Sequence, residues 1–305
     1  MAGLLRMGSI RSTKKREMEF DIFNKPLSNE WVVEMRDKTK ILWDIESIHI
    51  PWWAAHENFN ELCTFIDHQK QDLDVWKELF LISDTCQNSL KKVSQLITNC
   101  IVSFTTFITI CEVYVKKNFS HNQDIFLEWN KKKQLLHKGS FHYRLAYELR
   151  NYSQHYSVPI SGMEVNMTGD FVEGINIYVH TDNLRASGYD WKKLLNDLDF
   201  KESSIINITE MLFDYLRCVD QIFKNTLILH EDRLNSCSNY FQNMIKQYDL
   251  TEDKHPVIFQ GENPAPRIPP ESKEFIPLYL FKRLTHDWLR LLNYRIIEDS
   301  KICKP

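Results

Sequence analysis

Glycine and proline are scarce in this sequence, with 8 Gly and 10 Pro among 305 residues. Both residues mark turns and interrupt regular structure, so a fold of many short strands would need more of them. Their scarcity favours long helices. The hydrophobic fraction of 43% and the charged fraction of 26% are close to the globular average and exclude a disordered chain. The length allows one large domain or two small ones.

Cysteine and histidine are not arranged as in a metal site. The seven cysteines include no C-x-x-C pair, and their odd number argues against a disulfide framework. They are typical of a reduced, cytoplasmic protein. The pair His56-Glu57 lacks the second histidine of a zinc peptidase motif, and His121, His137 and His142 match no zinc-ligand spacing. We therefore expect no metal and no cofactor.

The chain has no excess of positive charge, since its net charge is −3, so it does not attract nucleic acid as a whole. Two local basic runs remain, at residues 1–16 and at Lys131-Lys132-Lys133 with Lys138. Both runs could contact RNA. Charge runs are more often solvated, which would make the first a solvated tail and the second a solvated helix face.

Long apolar runs are also missing, and the N-terminus holds none of signal-peptide length. Only residues 93–111 lack charge over a span-like length, and eight of those 19 residues are Ser, Thr, Asn or Gln. Such polarity suits a buried core helix better than a lipid-facing one. We expect a soluble, cytoplasmic protein with no membrane partner.

Apolar periodicity predicts the domain organisation. Residues 1–20 are expected to be a basic disordered tail, 21–250 a helical domain, 251–277 a proline-rich linker and 278–300 a C-terminal helix. Within the domain, a short strand is predicted at Trp31-Val32-Val33 and a turn at 50–53. Helices are predicted from Ala54 onward, over 73–117 and over 203–248. Alternation of apolar and polar residues predicts a β-hairpin near 163–180.

One predicted helix carries the most informative residues. Gly139 and Ser140 predict the end of the preceding helix and the N-cap of the next one, which runs over about 141–156 until Pro159 stops it. Asn151 and His155, four residues apart, share a face of this helix, and Arg150 neighbours that face. The last turn of a helix favours a charged imidazolium. His155 suits proton transfer, and Arg150 suits binding of a phosphate.

Arg150, the polar Asn151, three further residues and His155 resemble the motif of the HEPN superfamily, helical ribonucleases of toxins and antiviral defence. The resemblance implies an all-α fold, a HEPN-like helical bundle with a small inserted β-hairpin. It implies RNA as the partner, with catalytic residues Arg150, Asn151 and His155. It also implies a homodimer whose two motifs meet in one cleft, with an antitoxin or regulatory protein as a further partner.

A wider likeness covers roughly residues 120–230. The runs YELRNY at 147–152 and DWKKLL at 190–195 resemble an arrangement found in uncharacterised bacterial proteins, which carries no function with it. Two alternatives to catalysis stay open. The same cleft would serve as a non-catalytic binding module for a nucleotide or protein partner, or Arg150 and His155 would only bond loop carbonyls at the bundle surface.

Overall fold

A computed structural model describes residues 4–12, 18–71, 84–156, 160–168, 171–202, 205–260 and 272–287. Most of these residues lie in helices, so the prediction of a mostly helical protein is confirmed. The chain forms two compact units. The terminal unit comprises Met1–His49 and Leu227–Pro305, and the central unit comprises Ile50–Thr226.

The helices and strands follow one another in a mixed order along the chain. The α-helices are α1 Asn29–Gln71, α2 Asp84–Asn118, α3 Gln123–Gly139, α4 Phe141–His155, α5 Thr181–Ala186, α6 Leu198–Glu202, α7 Ile208–Ile228 and α8 Glu231–Gln247. Residues 278–287 are also helical, and Lys192–Asn196 form a 3-10 helix. The strands are β1 Leu5–Ser12, β2 Met18–Pro26, β3 Gly162–Thr168, β4 Phe171–His180, β5 Ile205–Asn207, β6 His255–Gln260 and β7 Ser272–Phe275.

Helix α1 is one continuous helix of 43 residues that includes Pro51. The predicted strand at Trp31, the predicted turn at 50–53 and the predicted start near Ala54 are therefore wrong. The backbone N–H of Trp31 donates to Ser28 Oγ at 3.2 Å, which satisfies a donor of the first turn. Buried apolar side chains at helical spacing hold the helix on both sides of the proline: Val32, Met35, Leu42, Ile45, Ile48, Trp52, Ala55, Phe59, Leu62 and Ile66.

The terminal unit contains a four-stranded antiparallel sheet in the order β2-β1-β6-β7. Ile10 of β1 packs with Val257 and Phe259 of β6 in its core. A Cβ atom at Gly8 would collide with the Phe259 ring and the Asp21 carbonyl, so this close strand approach requires glycine. The predictions of a disordered tail over 1–20 and of a linker over 251–277 are wrong where these strands form. Strands β1 and β6 are far apart in the sequence, and each supplies the backbone hydrogen-bond partners of the other.

Parts of those predictions lie outside the described residues. They are residues 1–3 and 13–17 of the tail, 261–271 of the proline-rich linker and 288–300 of the C-terminal helix. The helical residues 278–287 agree with the start that was predicted for that helix.

The central unit is built around α2, α3, α4 and the first nineteen residues of α7. The Tyr215 ring of α7 packs between two other rings. Its centroid lies 5.3 Å from that of Phe104 in α2 and 4.7 Å from that of Tyr143 in α4. Among the described residues, one helical segment, Gln87–Asn118, is long and apolar enough to cross a membrane by length and composition. Half of its most apolar stretch is buried, including Ile101 and Phe104, as in the core helix that the sequence predicts.

The predicted hairpin is present in the central unit as β3 and β4, with Val165 opposite Ile175. The buried residues Ile175, Ile177 and Val179 alternate along β4, which is the period that revealed it. Strand β5 adds a third strand, with Ile206 opposite Val179. The expectation of an all-α fold with one small hairpin is therefore corrected to a mostly helical protein with two antiparallel sheets.

Candidate functional site

Helix α4 places the predicted site residues in its last turns. Ser140 is its N-cap as predicted, because its hydroxyl accepts from the backbone N–H of Tyr143 at 3.1 Å. Tyr143, Leu145, Ala146, Leu149 and Tyr152 are buried and anchor the helix in the central unit. The helix ends at His155, as the sequence indicates, although Pro159 lies outside the described residues. The site residues therefore sit at a firmly anchored helix end.

Arg150 is half-buried, and no described residue gives it a counter-charge. Its Nη1 donates to Asn151 Oδ1 at a long 3.3 Å, and its Nε atom is buried without a hydrogen-bond partner. No carboxylate in the described part of the chain forms an ion pair with Arg150. Charged groups that leave bulk water are normally paired, because desolvation is costly. A half-buried guanidinium that lacks a carboxylate has the donors to bind an anion such as a phosphate.

Asn151 lies between two partners. Its Oδ1 atom accepts from Arg150 Nη1, and, against the raising effect of burial, its side chain is close enough to the Tyr189 hydroxyl to lower the pKa of that group slightly. The sequence suggested that Asn151 orients His155. No contact supports this role, because His155 has no hydrogen bond or ion pair with any described residue.

His155 is exposed at the end of α4. His155 follows Arg150 by five positions, which places the two side chains about 140° apart around the helix axis. Asn151 shares the face of His155, as predicted, and the guanidinium reaches round toward that amide. The imidazole is therefore open to solvent and to any ligand that approaches the helix end.

A second group of polar side chains surrounds Glu148, and sequence reasoning did not select it. Glu148 Oε2 accepts from the Tyr189 hydroxyl at 2.7 Å, and Lys192 Nζ lies 3.3 Å from Glu148 Oε1. Burial and, after it, the hydrogen bond to Glu148 raise the pKa of Tyr189. Its hydroxyl therefore remains a donor throughout the neutral pH range. In the sequence, Lys192 was noted only as part of the run at 190–195. Its contact with α4 arises from tertiary packing, which the sequence pattern does not reveal.

Some of the basic side chains in the two runs noted in the sequence form ion pairs, as far as the structure describes those runs. Lys132 lies 3.0 Å from Glu128, and Lys133 pairs with Glu112. Arg11 of β1 pairs with Glu19 of β2. These pairs favour the interpretation of both runs as solvated charge, within the residues described.

Two further histidines of the central unit contact carboxylates. His56 Nε2 lies 2.6 Å from Asp220 Oδ1, which also accepts from Trp52 Nε1 at 2.7 Å. His142 Nδ1 lies 2.6 Å from Asp214 Oδ2. No three His, Cys, Asp or Glu side chains of the described residues are grouped so that they would hold a metal ion.

Comparisons with protein-family models, with curated proteins and with solved structures find no significant match. The side chains at the end of α4 therefore define the class of site by themselves. Helix α4 offers a guanidinium without a carboxylate partner among the described residues and an exposed imidazole, and Tyr189, from the segment after α5, adds a protonated phenol near Glu148.

Proposed function

We propose that this protein is a metal-independent endoribonuclease of the HEPN type, a cytoplasmic toxin or defence effector. The observation that carries the proposal is Arg150, a half-buried guanidinium without a carboxylate partner among the described residues, on a helix that ends at the exposed His155. The first group suits a phosphodiester and the second suits transfer of its protons.

The chemistry follows from these two groups. Neutral His155 takes the proton of a ribose 2′-hydroxyl, and the 2′-oxygen attacks the adjacent phosphorus. The bond from phosphorus to the 5′-oxygen breaks, and that oxygen receives a proton. Arg150 stabilises the negative charge that develops on the phosphate. The products are a 2′,3′-cyclic phosphate and a 5′-hydroxyl.

One imidazole cannot remove a proton and donate another in the same step. A second copy of the chain would bring a second imidazole, in its protonated form, to the leaving 5′-oxygen. This need supports the homodimer that the HEPN resemblance implies. An antitoxin or regulatory protein that covers the helix end would keep the enzyme inactive.

A non-catalytic binding module is the second candidate. The separation of about 140° between Arg150 and His155 favours it, because the two side chains do not converge within one α4 helix. In that case Arg150 would bind the phosphate of a nucleotide, and His155 would not take part in chemistry.

The test is cleavage of mixed cellular RNA by purified protein in excess EDTA. Wild type is compared with Arg150→Ala, with His155→Ala and with His121→Ala, a matched control at another exposed histidine. We expect wild type and His121→Ala to cleave, both motif variants to lose at least a hundredfold in rate, and mass spectrometry to find cyclic phosphate ends.

Equal activity in all four proteins would assign the cleavage to a contaminant or to another site. Absence of cleavage, together with nucleotide binding that Arg150→Ala abolishes, would replace the ribonuclease by the binding module. A sedimentation measurement on the same preparation would report whether the homodimer forms.

A further inference from the structure

Aromatic side chains form a column that runs from the core of the central unit to the surface beside His155. Its inner members are Phe200 and Trp191, which are 0% and 1% exposed and whose ring centroids lie 5.5 Å apart. Tyr189 and Tyr152 follow, 4.8 Å and 5.2 Å from Trp191. The inner rings are fixed by burial, so they give the outer end of the column a rigid support.

The outer end of the column is Tyr156, the residue directly after His155. Its ring stacks on Tyr152 with centroids 5.7 Å apart and planes within 11° of parallel. Tyr189 meets it edge-on at 5.2 Å. Tyr156 is nevertheless 54% exposed, so part of this supported ring is open to solvent. Supported, half-open aromatic rings of this kind are the surfaces on which unpaired nucleic-acid bases stack.

A cation stands beside the same column. Lys192 follows Trp191 in the chain and lies 3.3 Å from Glu148, the carboxylate that accepts from Tyr189. Its backbone has a φ of 51°, a left-handed conformation that a lysine rarely adopts, and Asp190 Oδ1 accepts from its N–H at 3.0 Å. The Lys192 side chain is 55% exposed, so its ion pair is weak and its ammonium can exchange Glu148 for a phosphate.

We propose that Tyr156 is a stacking platform for one unpaired base of the RNA and that Lys192 binds a phosphate next to that base. This inference rests on the proposed ribonuclease function and narrows its substrate to single-stranded RNA. In a duplex the faces of each base are covered by its neighbours, and the ring of Tyr156 has no face to meet. The platform places the stacked nucleotide immediately beside His155, so it selects which phosphodiester is cleaved.

The experiment measures binding rather than cleavage, in EDTA and on a His155→Ala background. The probe is a short single-stranded oligonucleotide that contains 2-aminopurine, whose fluorescence is quenched when it stacks. We expect Tyr156→Ala to weaken binding about tenfold and to remove the change in fluorescence, because one base–aromatic stack contributes about 1–3 kcal/mol. Tyr156→Phe keeps the ring, and so we expect it to keep both the affinity and the fluorescence change.

Two further variants complete the design. Tyr147→Ala removes another exposed tyrosine of α4, 40% exposed, and we expect it to bind as the background does. Lys192→Met is expected to weaken binding severalfold and to reduce the salt dependence of log Kd by about 0.7, the contribution of one phosphate contact on a single strand.

Three results would overturn the proposal. The first is an equal affinity of Tyr156→Ala and its background for the oligonucleotide. The second is a loss of affinity in Tyr147→Ala as large as that in Tyr156→Ala. The third is that the background protein binds duplex RNA as tightly as single strands, or binds neither. If bases stack on Tyr156 but the protein with His155 intact does not cleave RNA, the stacking platform stands and the ribonuclease proposal fails. If RNA is cleaved and substitution of Tyr156 does not change the cleavage, the ribonuclease proposal stands and the platform fails.

Discussion

Two groups of charged side chains, one in each unit, differ in how completely their charges are paired. In the terminal unit, Glu46 and His49 of α1 meet Arg283 and Asp287 of the helical residues 278–287. Glu46 forms an ion pair with Arg283, and His49 Nε2 lies 2.6 Å from Asp287 Oδ2. His49 Nδ1 lies 3.4 Å from the Glu46 carboxylate. Acids and bases alternate in this cluster, so Glu46 has the Arg283 guanidinium as an opposite charge, although the buried atoms Glu46 Oε2 and His49 Nδ1 have no hydrogen-bond partner among the described residues.

At the end of α4 the pairing is incomplete. Glu148 has both Tyr189 and Lys192, whereas Arg150, two residues later, has no carboxylate among the described residues. A fold that optimised only its own stability would pair that guanidinium or replace it with an apolar residue. The two clusters therefore differ in that Glu46 has an oppositely charged partner, whereas Arg150 has none among the described residues.

Breaking the terminal cluster should have the largest effect on stability. Glu46→Gln removes one acid that is 6% exposed and leaves Arg283 and His49 without its charge. We expect the free energy of unfolding to fall by about 2 to 3 kcal/mol in urea titrations. Asp44→Asn is the control, because its pair with Arg233 is 3.7 Å long and exposed, and it should cost under about 0.5 kcal/mol. Equal losses in both variants would contradict a structural role for the buried cluster.

The terminal unit should also be the more sensitive to acid. Burial, with the Arg233 guanidinium adding to it, lowers the pKa of His230 to about 4. The unfolded chain, with an ordinary pKa near 6.5, binds the proton first as the pH falls, so this contribution to stability is present above pH 6.5 and is lost toward pH 4. We expect about 2 kcal/mol of the unfolding free energy to disappear between pH 7 and pH 4.5.

His230→Gln isolates that contribution. The variant cannot take up the proton, so its unfolding free energy should decline less over the same pH interval, by about the 2 kcal/mol assigned to the imidazole. Parallel pH profiles of variant and wild type would show that His230 does not cause the acid sensitivity.

The smallest effect is expected at Arg150, in contrast to Glu46. Arg150→Met keeps the aliphatic packing and removes a guanidinium whose Nε is unsatisfied and whose hydrogen bond to Asn151 is 3.3 Å long. We expect the unfolding free energy to stay within about 1 kcal/mol of wild type, or to rise. A loss above about 2 kcal/mol would show that Arg150 supports the fold and would weaken its assignment to a ligand.

Local signals predicted the helix of the candidate site well. Gly139 and Ser140 gave its start, and the alternation along 171–180 gave the hairpin. Distant partners were not predictable in this way. Strand β1 carries two arginines, and its pairing with β2 on one side and with the distant β6 on the other makes it a strand.

The same distinction applies to the site. Arg150, Asn151 and His155 follow one another in the sequence, so their spacing was visible. Tyr189 and Lys192 reach Glu148 through tertiary packing, and no period in the sequence connects them. Pro51 misled for a related reason, because the burial of Ile48 and Trp52 on either side outweighs its helix-breaking tendency.

The pairing of β1 with β6 has a consequence for the order of events during synthesis. Residues 50–226 are one uninterrupted stretch, so the ribosome has completed them before it reaches the strand that β1 requires. Until then β1 exposes unpaired backbone groups, and the sheet of the terminal unit cannot close. All residues of the central unit, Arg150 and His155 among them, are therefore synthesised before the terminal unit can complete its sheet.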